Sequence, residues 1–115
     1  MNVTTVLTLA VGLLFLVTGA VKLIGLRQSL EIRDRLRISP VLWRLTGALE
    51  VAGALGAGLG IYFRPVGIAA IVGLAALMIG AIMARLRVRD AVSAVTMDVV
   101  VLGFVAATLA LTVVA

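Results

Sequence analysis

Residues Trp43–Gly60 read "WRLTGALEVAGALGAGLG". Past Trp43, Arg44 and Thr46, the stretch is Leu, Val, Ala and Gly with one acid, Glu50, set among them. Four blocks of this kind make up the chain. Met1 to Val21 carries no charge, Leu45 to Phe63 carries only Glu50, Pro65 to Ala84 carries none, and Ala91 to Ala115 carries only Asp98. Each block, as a helix, can cross a hydrocarbon layer of about 30 Å, which takes roughly 20 residues. The 115 residues are 63% hydrophobic and 13% charged, half the charge of an ordinary water-soluble domain at about 25%. The reading is an all-α integral membrane domain over residues 1–115, a four-transmembrane-helix bundle with spans near 4–26, 41–62, 66–86 and 91–113. The first block lacks a basic segment before its apolar run, so it reads as a span rather than a cleaved leader.

Local chemistry sets the breaks. Pro40 disfavours helix in Ser39 and suits the first turn of the helix that follows, and Arg64-Pro65 separates the second and third spans in the same way. Gln28 to Ile38 ("QSLEIRDRLRI") sets Leu30, Ile32, Leu36 and Ile38 among charges, the pattern of a short stretch along the membrane surface or of a solvated loop. Arg27, Arg33, Arg35, Arg37 and Arg44 flank the first connection and Arg85, Arg87 and Arg89 the third, whereas the second has Arg64 alone. Short Arg-rich loops stay cytoplasmic, so both termini are expected outside, in a multi-pass cell-membrane protein. Trp43 and Tyr62 fall where interfacial aromatics anchor a helix. The net charge of +5 is accounted for by topology and by attraction to anionic lipid headgroups. No soluble module or aromatic interleaving points to nucleic acid.

Four ionisable residues lie within or at the edge of the spans: Lys22, Glu50, Arg85 and Asp98. At about 1.5 Å of rise per residue, all four fall in one layer of the cytoplasmic half. Glu50 shares its helical face with Thr46, Gly47, Gly53, Ala54 and Ala57, and small residues mark a side where helices approach closely. Gly56 and Gly60 add a small pair, and Ala69, Gly73, Ala76, Gly80 and Ala84 give the third span a similar stripe. Lys22 lies with Thr18 and Gly19, and Asp98 with Ala94, Val101, Leu102 and Val105. A carboxylate facing lipid costs at least about 2.5 kcal/mol, so an inward cluster is the economical arrangement. Two functions fit it: polar glue, with Lys22–Glu50 and Arg85–Asp98 pairs, or a pocket around Glu50 and Asp98. Arg85 can also snorkel outward with Arg87 and Arg89. A faint echo of "GAVK" (Gly19–Lys22) in "GAIM" (Gly80–Met83), and of "LEV" (Leu49–Val51) in "MDV" (Met97–Val99), would relate two helical hairpins by duplication.

Several chemistries are excluded. The chain has no cysteine and no histidine, which removes thiol redox chemistry and the usual haem, zinc and iron–sulfur ligands. No metal site, Ser–His–Asp set or phosphate-cradling loop can be assembled.

The segments "FLVTGAVKLIG" (Phe15–Gly25), "LTGALEVAGALGAGLG" (Leu45–Gly60) and "GAIMARLRVRD" (Gly80–Asp90) together resemble the DoxX-like family of small four-helix membrane proteins. The most specific parts are Gly-x-x-Lys at Lys22 and Gly-x-Leu-Glu-x-x-Gly-x-x-Gly at Glu50. Family members often carry His-Leu-Arg after the third span, where this chain has Arg85-Leu86-Arg87, so no proton-transfer role for that histidine carries over. The resemblance implies a link to membrane redox or oxidative-stress handling and a quinone-like lipophilic ligand.

Three functions follow. The first is an accessory or binding subunit whose Lys22, Thr46, Glu50, Gly53, Arg85 and Asp98 surround the head of a lipophilic molecule, alone, as a homo-oligomer or beside a partner membrane subunit. The second is a small membrane enzyme in which Glu50 and Asp98 work as an acid–base pair on a lipophilic substrate, by isomerisation or epoxide opening. The third is a structural or oligomer-forming protein whose charges only pack helices. The first is favoured, because the catalytic set is incomplete and no cofactor is demanded by the residues themselves.

Overall fold

The computed structural model describes residues 2–114. Five helices run along the chain: α1 Val3–Ile24, α2 Arg27–Leu36, α3 Pro40–Leu59, α4 Arg64–Arg87 and α5 Val92–Val114. Among the described residues there is no strand, and four of the five helices lie within a turn of the bounds read for the four apolar blocks. The expected chemistry makes the ends. Asn2 caps α1 by accepting the Thr5 N–H at 2.8 Å, and Ser39 caps α3 by accepting the Leu42 N–H at 3.2 Å, with Pro40 in the first turn. Gly25 ends α1 at φ +79°, and its N–H donates to the Val21 carbonyl at 3.1 Å. Glycine enters this left-handed region without a Cβ clash.

Gln28 to Ile38, left between an interfacial stretch and a loop by sequence, is largely the helix α2. It places Ser29 and Leu36 inward and leaves Arg27 and much of Arg35 exposed. α1, α4 and α5 are long and apolar enough to cross a membrane. α3 is similar in length but less apolar, diluted by Arg44, Glu50 and its glycines.

α1 packs antiparallel on α3, α3 on α4, and α4 on α5, and α5 closes the ring more loosely against α1. Val11, Phe15, Ala54, Ala57, Ile71, Leu74, Met78 and Val105 form the core. Glycines set the spacing. A Cβ on Gly60 would run into the Gly67 backbone, one on Gly56 would lie 2.8 Å from the Ala70 Cβ, and one on Gly53 would lie 2.6 Å from the Leu74 Cδ2. These contacts fix the α3–α4 register. The small stripe expected to pack on α4 does not do so. Ala69, Gly73, Ala76 and Gly80 are exposed, and Cβ atoms built on Gly73 and Gly80 would meet nothing within 4 Å. The large residues Ile71, Leu74 and Met78 turn inward instead, because only they fill the centre of a ring of four helices.

Gly53→Leu should therefore drive α3 and α4 apart, while Leu59, exposed at the end of α3, has little to lose. Melting of the purified protein in detergent should show a drop of about 1–3 kcal/mol for Gly53→Leu and a far smaller one for Leu59→Ala. Equal losses would contradict this packing.

Candidate functional site: a polar layer near the Arg-rich end

The layer begins with a close backbone crossing. Gly19 of α1 faces Gly47 of α3: a Cβ on Gly19 would come within 2.7 Å of the Gly47 carbonyl oxygen, and one on Gly47 within 2.8 Å of the Lys22 Cβ. One turn beyond Gly19, Lys22 needs little reach to cross to Glu50. Its Nζ lies 2.8 Å from the Glu50 Oε2, with the two side chains 17% and 6% exposed. Oε2 meets the ammonium as an ion-pair contact rather than an aligned hydrogen bond. Oε1 lies 3.5 Å from the Thr18 hydroxyl, whose one proton is shared with the Phe15 carbonyl at 3.3 Å. The ammonium also sits 4.7 Å from the centroid of the Trp43 ring, within cation–π range. Trp43 is buried, and its indole N–H donates to the Ser29 hydroxyl at 2.9 Å, tying α2 to α3.

A second cluster forms between α4 and α5. Arg85 donates from Nε to the Asp98 Oδ2 at 2.5 Å and from Nη1 to the Asp90 Oδ2 at 2.6 Å. Arg35 of α2 reaches the Asp90 Oδ1 at 3.2 Å. Arg87 donates to the Leu36 carbonyl at 3.1 Å. The tight turn that presents Asp90 runs through Arg89 at φ 53°. α2 is thus fastened to the bundle on both sides, by Ser29 to α3 and by Arg35 and Leu36 to the α4–α5 end.

The two expected pairs, Lys22–Glu50 and Arg85–Asp98, both form, in separate clusters with no ion pair joining them among the described residues. Arg85 turns inward to two carboxylates rather than only snorkelling with Arg87 and Arg89. Thr46 returns its hydroxyl to the Leu42 carbonyl at 2.8 Å, and Thr18 approaches Glu50 instead. Gly53 faces Leu74. From sequence alone Trp43 reads as an anchor, and Ser29, Arg35 and Asp90 fall outside the site. Their signals were present: a Trp one turn before Gly47, and an acid five residues beyond Arg85.

Asp90 lies outside the long helices, and its carboxyl is held below its usual value near 3.8 by the Ala91 backbone N–H and by Arg85. A lowered folded-state value contributes stability above about pH 4, which drains away as pH falls through the lowered value. Acid below about pH 4 should therefore loosen α2 from the bundle, and Asp90→Asn should remove that part of the acid transition. The melting temperature followed on acidification checks this, and an acid limb unchanged in Asp90→Asn would contradict it.

The DoxX-like family model matches residues 6–108, which takes in Lys22, Glu50, Arg85 and Asp98. This chain belongs to the DoxX-like family. No curated protein and no solved structure matches it. Family membership together with three helices able to cross a bilayer makes this DoxX-like chain a small membrane protein. Among its described residues, no three His, Cys, Asp or Glu side chains gather as a metal site would need.

Proposed function

We propose that this DoxX-like protein is a binding or accessory subunit in membrane redox handling, whose polar layer receives the carbonyl head of a quinone-like lipophilic molecule. All four long helices span the bilayer, α3 included: Arg44 falls at the interface and Lys22 compensates Glu50. The termini lie outside, and α2 with the Arg-rich connections lies at the cytoplasmic face against anionic headgroups. One observation carries the reading. The Lys22 ammonium is paired to Glu50 and stacked on Trp43, yet its side chain stays 17% exposed, which leaves an ammonium proton to donate. A partly exposed lysine side chain beside an aromatic ring suits a carbonyl on a flat ring. The acid–base alternative loses ground, since Glu50 and Asp98 each face a cation of their own rather than each other.

Trp43 is the only tryptophan and touches Lys22, so its fluorescence reports the site directly. Titration with decylubiquinone in detergent should give saturable quenching, and Lys22→Met should abolish the saturable part. Quenching that only grows linearly with quinone in both proteins would rule the site out. For the topology, a C-terminal reporter that works only outside the cytoplasm should be active. Activity of a cytoplasmic reporter at that position would invert the map.

The close Gly19–Gly47 crossing favours a second reading, in which the pair is a clamp between α1 and α3 and holds no ligand, in a homo-oligomer or beside a partner subunit.

A further inference from the structure

The end of the bundle opposite the Arg-rich one holds a cavity of about 190 Å³, lined by Thr4, Thr5 and Thr8 of α1, Arg64 of α4 and Thr112 of α5 over a floor of Gly60, Gly67 and Ile71. On the α1–α5 side lies an apolar groove, about 200 Å³, between Leu7, Ala10, Val11 and Leu14 on α1 and Val101 and Phe104 on α5. Cavity and groove have no lining residue in common, but both involve α1 and α5 and lie one beyond the other along α1. Thr4 and Thr8 line the cavity, and Leu7 and Val11, three residues further on in each case, line the groove. From Thr4 to Leu14 the pair runs about 15 Å. The chemistry changes along that length from hydroxyls and a guanidinium to hydrocarbon alone.

The charge of this end is one-sided. The five acids are Glu31, Asp34, Glu50, Asp90 and Asp98, and all belong to α2, the polar layer or the α4–α5 turn. Among the described residues Arg64 is the only charged side chain lining the cavity, and its Nε and Nη2 donate to the neutral backbone carbonyls of Thr112 and Val113. One positive charge in a niche with hydroxyl donors matches one negative charge. One groove between two helices admits one hydrocarbon chain.

We infer that this cavity and groove form a second site, distinct from the polar layer, for a single-chain monoanionic amphiphile: a long-chain carboxylate, its head at Arg64 and its tail between α1 and α5. An entry from the bilayer side follows, since Ala10, Leu14 and Phe104 are exposed. A two-chain phospholipid would need a second groove, and a neutral lipid would make no use of Arg64.

Native mass spectrometry of the full-length protein in detergent tests this with oleate, oleyl alcohol and a phosphatidylglycerol as probes. The wild type should retain one oleate, at least about tenfold more tightly than oleyl alcohol, as a charge-assisted hydrogen bond implies. Arg64→Gln should erase that preference. Ala10→Trp, a change at an exposed position, should block the groove and lose both single-chain probes while the melting temperature holds. Equal retention of oleate and oleyl alcohol by the wild type would overturn the inference, as would stronger retention of phosphatidylglycerol than of oleate. Undiminished oleate binding in Ala10→Trp would overturn it too, and that arm stands even if Arg64→Gln does not fold. Quinone quenching of Trp43 should be indifferent to Ala10→Phe, which fills the groove without adding a second tryptophan and so separates the two sites.

Discussion

Lys22→Met alone should lower the unfolding free energy of the protein in detergent by about 3 kcal/mol or more. Glu50 is 6% exposed and faces one cation, Lys22, at 2.8 Å. Removing the ammonium leaves a carboxylate whose remaining side-chain donor is Thr18, at 3.5 Å. Breaking a buried pair from one side is far more damaging than never having built it, because the surviving charge has already lost its water. Methionine matches the Lys stem in bulk, so the packing against Trp43 and Gly47 is retained and the loss reads out the charge. Arg27 and Glu31 form the control. That pair is 3.8 Å apart, with side chains 93% and 70% exposed. Arg27→Met should change stability by less than about 1 kcal/mol. Chemical denaturation of the two variants side by side gives the comparison, and similar losses would mean that Glu50 is not sealed as described.

Gly19→Leu should be as damaging, by about 3 kcal/mol, and for a different reason. A Cβ at this position would stand 2.7 Å from the Gly47 carbonyl oxygen, 2.8 Å from the Val51 Cγ2 and 3.0 Å from the Glu50 Cβ. The first of these is backbone in the middle of α3 and cannot swing aside. α1 and α3 must part, and the Lys22–Glu50 contact parts with them. Gly80→Leu makes the opposite case. Nothing lies within 4 Å of a Cβ there, and replacing glycine inside a helix gains up to about 1 kcal/mol of propensity. Thermal melts should show Gly19→Leu strongly destabilised and Gly80→Leu unchanged or improved. A Gly80→Leu protein as unstable as Gly19→Leu would mean that the outer face of α4 is packed against another chain.

Much of this was legible beforehand, because a membrane simplifies the code. Four apolar blocks separated by Pro40, Arg64-Pro65 and the Arg-rich connections locate four long helices within a turn. Helical period puts Gly47, Glu50, Ala54 and Ala57 on one face, and all four are buried. What period cannot say is which neighbour a face meets. Gly53 shares the general side of Glu50 yet meets Leu74 of α4. The stripe on α4 shows the limit most clearly. Small-residue spacing permits close packing, but the bulk of Ile71, Leu74 and Met78 decided which side of α4 turned inward. The Thr18 contact and the Trp43–Ser29 bond depend on how α1 and α2 cross α3 in three dimensions. The cavity around Arg64 needed the ends of α1, α3, α4 and α5 brought together, a convergence that no local pattern carries.

The most direct test of the central claim is the double variant Lys22→Met with Glu50→Gln. Removing both charges removes the unpaired-charge penalty, so its stability should return close to that of the wild type. Small molecules extracted from wild-type and double-variant protein, purified from the same membranes, are then compared by mass spectrometry. If the layer receives a quinone-like head, the double variant folds normally and comes off the membrane without the lipophilic molecule that the wild type carries. A double variant that is stable and keeps that molecule in full would contradict the claim and leave Lys22 and Glu50 as a clamp between α1 and α3.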